Sequence, residues 1–177
     1  SHIVDIAGGY GRFAIPLAEM GFDVTIIDIH QESLDEAMLR AARLPDGSGT
    51  IQTVKSDALR QEFPDVGSID GIVSFGFMHH LTLAGIRRLF QEMTGQLKPG
   101  GFVIMEFSTN KNRRKPDGSP ILVNGVTEQN MPHDEALDLL KEIHKDYSSL
   151  HFKDIHSVLR LPDFWYDTDT ILSKGIK

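Results

Sequence analysis

The 177-residue chain contains no cysteine, which excludes disulfide frameworks, thiolate metal sites and cysteine nucleophiles together. It also lacks a long apolar run. A stretch such as Ile3–Ile6 is interrupted by an aspartate, far short of the roughly 20 residues a helix needs to cross a bilayer, and no signal peptide is evident. Basic residues are the minority, 18 against 25 acidic, for a formal net charge of −7. Indiscriminate attachment to nucleic acid phosphates or anionic membranes is therefore not expected. The G-x-S-x-G elbow of serine hydrolases and the G-x-x-x-x-G-K-[ST] phosphate loop are absent too, as are long repeats and low-complexity tracts. What remains is 40% apolar, enough for one packed core in a chain of about one domain's length. Without cysteine, a reducing cytoplasm is a compatible setting.

Along the chain, strand and helix patterns alternate. Ile3-Val4-Asp5-Ile6 runs into Ala7-Gly8-Gly9-Tyr10-Gly11, a strand ending in a tight glycine turn. Phe13, Leu17 and Met20 then recur at helical spacing up to Gly21, with Pro16 implying a short or kinked helix. Phe22 to Ile27, ending at Asp28, predicts a second strand. Leu34, Ala37, Met38 and Ala41 predict one face of a helix that Pro45-Asp46-Gly47 stops. Thr50–Val54, closed by Ser56-Asp57, is a third strand, and Ile69–Ser74 a fourth, apolar enough to be buried on both faces. Thr82 or a neighbour caps a helix carrying Ile86, Leu89, Phe90, Met93 and Leu97, and Lys98-Pro99-Gly100-Gly101 turns into a fifth strand, Phe102–Phe107. Such alternation implies right-handed crossovers and a largely parallel sheet covered on both faces.

At Ser108–Pro132 the pattern fails, and only Ile121-Leu122-Val123 has an ordered composition. An irregular insertion or flap is expected at about 108–132. A helix over His133–His144, with Ala136, Leu137, Leu140 and Ile143 inward, precedes two late strands near Leu150–Leu161 and Phe164–Ile176. Their short joint at Leu161-Pro162-Asp163 makes them antiparallel.

The first turn has a chemical logic of its own. Glycines let a ligand approach the backbone, a helix start offers unpaired N–H groups, and Asp28 can accept two hydrogen bonds from a ribose diol. This describes a nucleoside site. Gly9-Tyr10-Gly11-Arg12-Phe13-Ala14 also fits G-x-G-x-x-G/A, so the element alone does not separate NAD from other nucleosides.

Three later features tip that balance: Asp57 after the third strand, Ser74-Phe75-Gly76-Phe77-Met78-His79-His80-Leu81 after the fourth, and Leu97-Lys98-Pro99-Gly100-Gly101-Phe102 before the fifth. With these in order, the sequence from Ile3 to about Phe107 resembles the class I S-adenosylmethionine-dependent methyltransferases. The resemblance implies a single methyltransferase domain over residues 1–177 with a doubly wound, Rossmann-like α/β sheet of about seven strands, mostly parallel with the last strand antiparallel. It implies S-adenosyl-L-methionine as cofactor and S-adenosyl-L-homocysteine as product. Asp5, Gly9 and Gly11 would surround the methionine moiety, with Ala7, Tyr10 and Ile29 adjoining the site. Asp28 would bind the ribose, Asp57 and Ala58 would flank the adenine, and Phe75 would line the opposite wall. Two departures stand out. Ala7 occupies the place of the motif's first glycine, and only Ser1 and His2 precede the first strand, so an N-terminal lid segment is expected to be missing. The closing Ile171-Leu172-Ser173-Lys174 loosely resembles small-metabolite methyltransferases, including the tellurite-resistance type.

Methyl transfer requires alignment and exclusion of water, and a base only where the acceptor loses a proton. His79 or His80 is the candidate base, with loop packing as the alternative, and Glu106 is a candidate for orienting an amine or hydroxyl. Tyr10 either covers the methionine or is an exposed ring, while Phe77 and Met78 serve an apolar wall or the core. Lys111, Arg113, Arg114 and Lys115 form the only basic cluster; with no aromatic interleaved in it, a solvated loop is expected. His133, His144, His151 and His156 lack H-E-x-x-H spacing, so no metal site is expected. Trp165 and Tyr166, beside Asp163 and Asp167, read as hairpin packing. The expected partner is a small-molecule methyl acceptor, with neither a membrane nor nucleic acid. The alternatives are a non-catalytic binder of the cofactor or its product, acting as a sensor or partner subunit, and an RNA or protein methyltransferase.

Overall fold

The computed structural model describes residues 1–57, 63–119, 131–160 and 165–177, with backbone alone at 110–113, 159 and 165–167. Its sheet is built on β1 (His2–Ile6), β2 (Asp23–Asp28), β3 (Ile51–Lys55), β4 (Ile69–Ser74), β5 (Leu97–Arg114), β6 (Ser149–Arg160) and β7 (Trp165–Ile176). These seven strands lie in the order β3-β2-β1-β4-β5-β7-β6. The first five run parallel, whereas β7 is antiparallel to both β5 and β6. The expected doubly wound sheet with an antiparallel last strand is thus present. Among the described residues four α-helices connect it: α1 (Ala14–Glu19), α2 (Gln31–Ala41), α3 (Leu83–Gly95) and α4 (His133–Ile143).

Alternation along the inner strands sends side chains to opposite faces. Ile3, Val24 and Ile26 pack with Ala14 and Ala18 of α1 and Leu34 of α2. Val4, Ile6 and Ile27 join a second cluster with α3 and α4 residues such as Ile86, Met93 and Leu140. Gly71 is fixed by this layering, because a Cβ there would enter the ring of Phe102 on the paired strand.

The helix faces differ in detail from the periodicity. α1 is only six residues long and buries Ala14 and Ala18, while Met20 beyond its end is 72% exposed. Pro16 stands in its first turn, where the missing N–H costs no helical bond. In α2, Leu34 and Ala37 are buried but Met38 is exposed. Thr82 caps α3 by accepting the Gly85 N–H at 3.1 Å, and α4 buries Leu139 beside Ala136 and Leu140, leaving Leu137 and Ile143 half-buried.

The largest difference is β5. It starts at Leu97 and runs to Arg114, well outside the predicted Phe102–Phe107. At its start the expected Lys98–Gly101 turn is taken up as a register shift, Ile69 pairing with Leu97 and Gly71 with Phe102. Gly100 and Gly101 exchange backbone bonds with Lys177. At its far end, residues of the predicted irregular stretch pair with β7: Ser108 with Thr170, Asn112 with Asp167 and Arg114 with Trp165. Their polar side chains carry no core pattern, and their order comes from a partner strand distant in sequence. Ile121-Leu122-Val123 and the Leu161-Pro162-Asp163 joint lie outside the described residues.

Candidate functional site

The strand order reverses between β1 and β4, and the carboxyl ends of strands beside such a switch point are where open α/β sheets bind ligands. There β1 ends in Asp5 and Ile6, and the chain turns sharply. Ala7 adopts a left-handed φ of +57° and donates its N–H to the Ile27 carbonyl at 2.8 Å. Gly9 and Gly11 follow at +54° and +82°. Gly11 donates to the Gly8 carbonyl at 2.9 Å and its own carbonyl accepts from Ile15, which carries the turn into α1.

Two carboxylates frame this turn. Asp28, at the end of β2, accepts the Gly9 N–H on Oδ2 and the His30 N–H on Oδ1, each at 2.9 Å. An ionised carboxylate has about four acceptor positions, so two remain for the hydroxyls of a ribose. Asp5 is 1% exposed, and its Oδ2 has no hydrogen-bond partner. Gly8 lies against it: a Cβ there would meet Oδ2 at 2.6 Å and Ile26 Cγ2 at 2.9 Å. Burial pushes the Asp5 carboxyl up to about 7, opposed by the Ala14 N–H and the Arg12 guanidinium and reinforced by Asp28.

The other expected residues gather around this pair. Ser56 donates its N–H to the Asp28 carbonyl at 3.0 Å, which seats half-buried Asp57 beside the end of β2. Ile29 is 47% exposed between Asp28 and His30. Tyr10 is also exposed, with the Arg40 guanidinium of α2 4.6 Å above its ring. Beyond β4, Phe75 stacks on Phe13 at 4.2 Å between centroids, joining the glycine turn to the β4 loop. Arg12 lies over the other aromatic of that pair, 4.7 Å from the Phe13 centroid. The apolar spacing assigns Phe13 to a helix face and gives Arg12 no role, whereas both stand at the wall of the turn; the signal for this is their place at the end of the glycine motif. Ala58 lies outside the described residues.

His79 and His80 fall in a short 3-10 turn, Met78–His80, past Gly76 at φ +69°. His79 is buried and His80 exposed, their rings 4.1 Å apart. Phe77 and Met78 belong to the α3 and α4 side of the core. Glu106, one residue beyond the β5 partner of Ser74, is half-buried and accepts the Ser108 hydroxyl at 3.1 Å. The remaining histidines are spread out. His144 is buried between Phe90 and Tyr147, while His133 meets Thr109 at 3.0 Å and His156 meets Asp169 at 2.8 Å.

A methyltransferase-domain family model matches residues 3–101, more than half of the chain, and the chain belongs to that family, the class I S-adenosylmethionine-dependent methyltransferases. The ubiquinone/menaquinone biosynthesis C-methyltransferase UbiE of Zymomonas mobilis is 34% identical over 111 residues, 62% of this chain and 44% of that protein. A ubiquinone biosynthesis O-methyltransferase of Rickettsia felis is 27% identical over 107 residues, 58% of this chain and 39% of that one. The chain thus spans less than half the length of these relatives. Among solved structures, a methyltransferase of Methanosarcina mazei superposes with a TM-score of 0.72 at 19% identity, covering 98% of this chain and 91% of that one. TehB of Haemophilus influenzae gives 0.73 at 18%, covering 99% and 57%.

S-adenosylmethionine is the cofactor of this class, and the residues present fit it. Asp28 retains acceptor capacity, Asp5 presents a buried unpartnered oxygen beneath the turn, and the space beside Gly9 is open, a Cβ there meeting only Asp28 Oδ2 at 4.0 Å.

Proposed function

We propose that this domain transfers a methyl group from S-adenosylmethionine to a small-molecule acceptor lying over the carboxyl ends of β4 and β5. The observation that carries the reading is the pairing of Asp5 and Asp28 around one left-handed glycine turn at the strand-order switch. Asp28 holds the ribose hydroxyls while bracing the turn, Asp5 lies under the methionine end, and Asp57 faces the adenine. When bound, the cofactor supplies the transferable methyl group.

The protein's part is alignment and exclusion of water. Phe13 and Phe75 close the wall between the two loops. Glu106, with Ser108 fixing one of its oxygens, orients a hydroxyl or amine of the acceptor. Where that acceptor must lose a proton, exposed His80 is better placed to accept it than buried His79. The names of the UbiE and O-methyltransferase relatives, both acting in quinone biosynthesis, support a small acceptor.

Calorimetric titration with S-adenosylhomocysteine and, separately, NADH tests the cofactor. Binding of the first alone is expected, and binding of NADH alone overturns the reading. Transfer of labelled methyl groups to candidate acceptors then separates an enzyme from a non-catalytic binder.

A further inference from the structure

We propose that Arg40 is a positioning residue of the cofactor site: from α2 it grips the ring of Tyr10 and so holds the Gly9–Gly11 turn in the shape that places the Gly9 amide against Asp28. The proposal rests on the reading above that this turn receives the cofactor, and it adds to that site a residue that acts through another.

The turn is a conformation that needs holding. Ala7, Gly9 and Gly11 all stand at positive φ, and a left-handed alanine persists only where its surroundings over-determine the backbone. The glycines add freedom, since they populate other conformations as readily. At the start of the turn the Ala7 N–H is fixed by the Ile27 carbonyl, and at its end the Gly11 N–H is fixed by the Gly8 carbonyl. Between them the Gly9 N–H depends on Asp28. Tyr10 carries the one large side chain of Ala7–Gly11, and it is 47% exposed, so its ring is a handle by which the middle of the turn can be held from outside.

Helix α2 supplies the grip. Ala37 and Arg40 are three residues apart and share a side of the helix. Ala37 backs the turn closely: a Cβ on Gly11 would lie 3.6 Å from the Ala37 methyl and 3.1 Å from Ile15 Cγ1. Further along the same side, the Arg40 guanidinium lies 4.6 Å from the Tyr10 ring centroid, inside the about 6 Å within which a cation is attracted to the negative face of an aromatic ring. Arg40 is itself steadied from behind. Its Nε donates to Glu36 Oε1 at 2.8 Å, an i, i+4 pair that engages the edge of the planar guanidinium and leaves its face for the ring. Glu36, Arg40 and Tyr10 thus form a chain of contacts from the exposed side of α2 to the middle of the turn.

The size of the effect follows. An exposed contact of this kind shifts an equilibrium by about two- to fivefold. An affinity that depends on the fraction of molecules with the turn formed moves by no more than that factor. Arg40 therefore acts on cofactor affinity and not on the chemical step.

Whole-chain variants are compared by calorimetric titration with S-adenosylhomocysteine and, without ligand, by amide hydrogen exchange at Gly9. Arg40→Gln should weaken binding by about two- to fivefold and speed exchange of the Gly9 amide, with exchange along α2 unchanged. Arg40→Lys, which keeps a cation, should recover part of both effects. Once the ring is gone Arg40 has nothing to grip, so Tyr10→Leu and the double variant Tyr10→Leu with Arg40→Gln should bind alike. Wild-type affinity and wild-type Gly9 exchange in Arg40→Gln overturn the proposal, as does an undiminished loss of affinity on adding Arg40→Gln to Tyr10→Leu. Faster exchange throughout α2 with a lowered melting temperature makes Arg40 a helix-stabilising residue only, which also overturns it. Failure of the wild type itself to bind S-adenosylhomocysteine counts against the cofactor reading instead, and the Gly9 exchange of Arg40→Gln, measured without ligand, still decides whether Arg40 holds the turn.

Discussion

Gly9 donates its backbone N–H to Oδ2 of Asp28 at 2.9 Å, so the carboxylate assigned to the ribose is also the clasp that ties the turn after β1 to the end of β2. Its two tasks use different lone pairs. Asp28→Ala is expected to weaken S-adenosylhomocysteine binding by about 1.5–3 kcal/mol, the range of charge-assisted hydrogen bonds. It should also lower the melting temperature, because the Gly9 and His30 amides lose an acceptor, but the sheet is expected to remain folded. Calorimetry of the variant showing wild-type affinity would remove Asp28 from the cofactor site.

Asp5 gives the ligand-free protein an unusual pH dependence. Its carboxyl rises from 3.8 in the reference state to about 7 in the fold, chiefly through burial. The native state therefore binds this proton more tightly than the unfolded chain. The associated stability is complete below about pH 4 and falls as pH rises through about 7, by up to about 1.4 kcal/mol per unit. Asp5→Asn keeps the shape without the titration. Denaturant melts at about pH 5 and about pH 8 should show wild type losing stability relative to the variant at the higher pH. A constant difference between the two proteins would show that Asp5 does not titrate in this range.

The parallel core was legible because strands buried on both faces must be apolar nearly throughout, as Ile69–Ser74 is. The acids proposed for the cofactor site stand out for a related reason: Asp28 and Asp57 interrupt apolar segments at their ends, where a core has no use for a charge. Contacts between elements left no comparable mark. Nothing in the order of residues places Arg40 over Tyr10 or Phe13 against Phe75. Met20 and Met38 fit the apolar spacing yet are exposed, since small Ala18 and Ala37 take the close-packed positions. The outer half of β5 was hidden for another reason. Asn112 and Arg114 are ordered by hydrogen bonds to β7, and backbone pairing imposes no hydrophobic pattern on a ribbon without a core beneath it.

Ala7 offers a test of the turn itself. Its φ of +57° is a conformation that costs a non-glycine residue roughly 1–2 kcal/mol. Ala7→Gly relieves that strain but loosens the unfolded chain by about 0.5–1 kcal/mol. The net expectation is unchanged to modestly higher stability, with S-adenosylhomocysteine affinity preserved or improved. Ala7→Val adds a β-branch where such residues are genuine outliers, and should lose about 2 kcal/mol or more. Thermal melts of the pair decide the matter: equal destabilisation by glycine and valine would mean that the methyl of Ala7 makes a contact outweighing the strain.

His79 and His80 are adjacent in sequence and their rings lie 4.1 Å apart, yet their surroundings predict opposite consequences of removal. His79 is 5% exposed, so His79→Ala should act mainly on stability, costing about 1–3 kcal/mol, with little change in the pH profile of the remaining turnover. His80→Ala should leave S-adenosylhomocysteine affinity unchanged and reduce turnover by about 100-fold or more for an acceptor that loses a proton. The limb of the rate profile that rises with pH should disappear with it, since that limb reports deprotonation of the base. Loss of turnover with the limb intact would make His80 a positioning residue. Full turnover in His80→Ala from about pH 6 to about pH 9 would exclude it as the base and leave Glu106 as the titratable group to vary next.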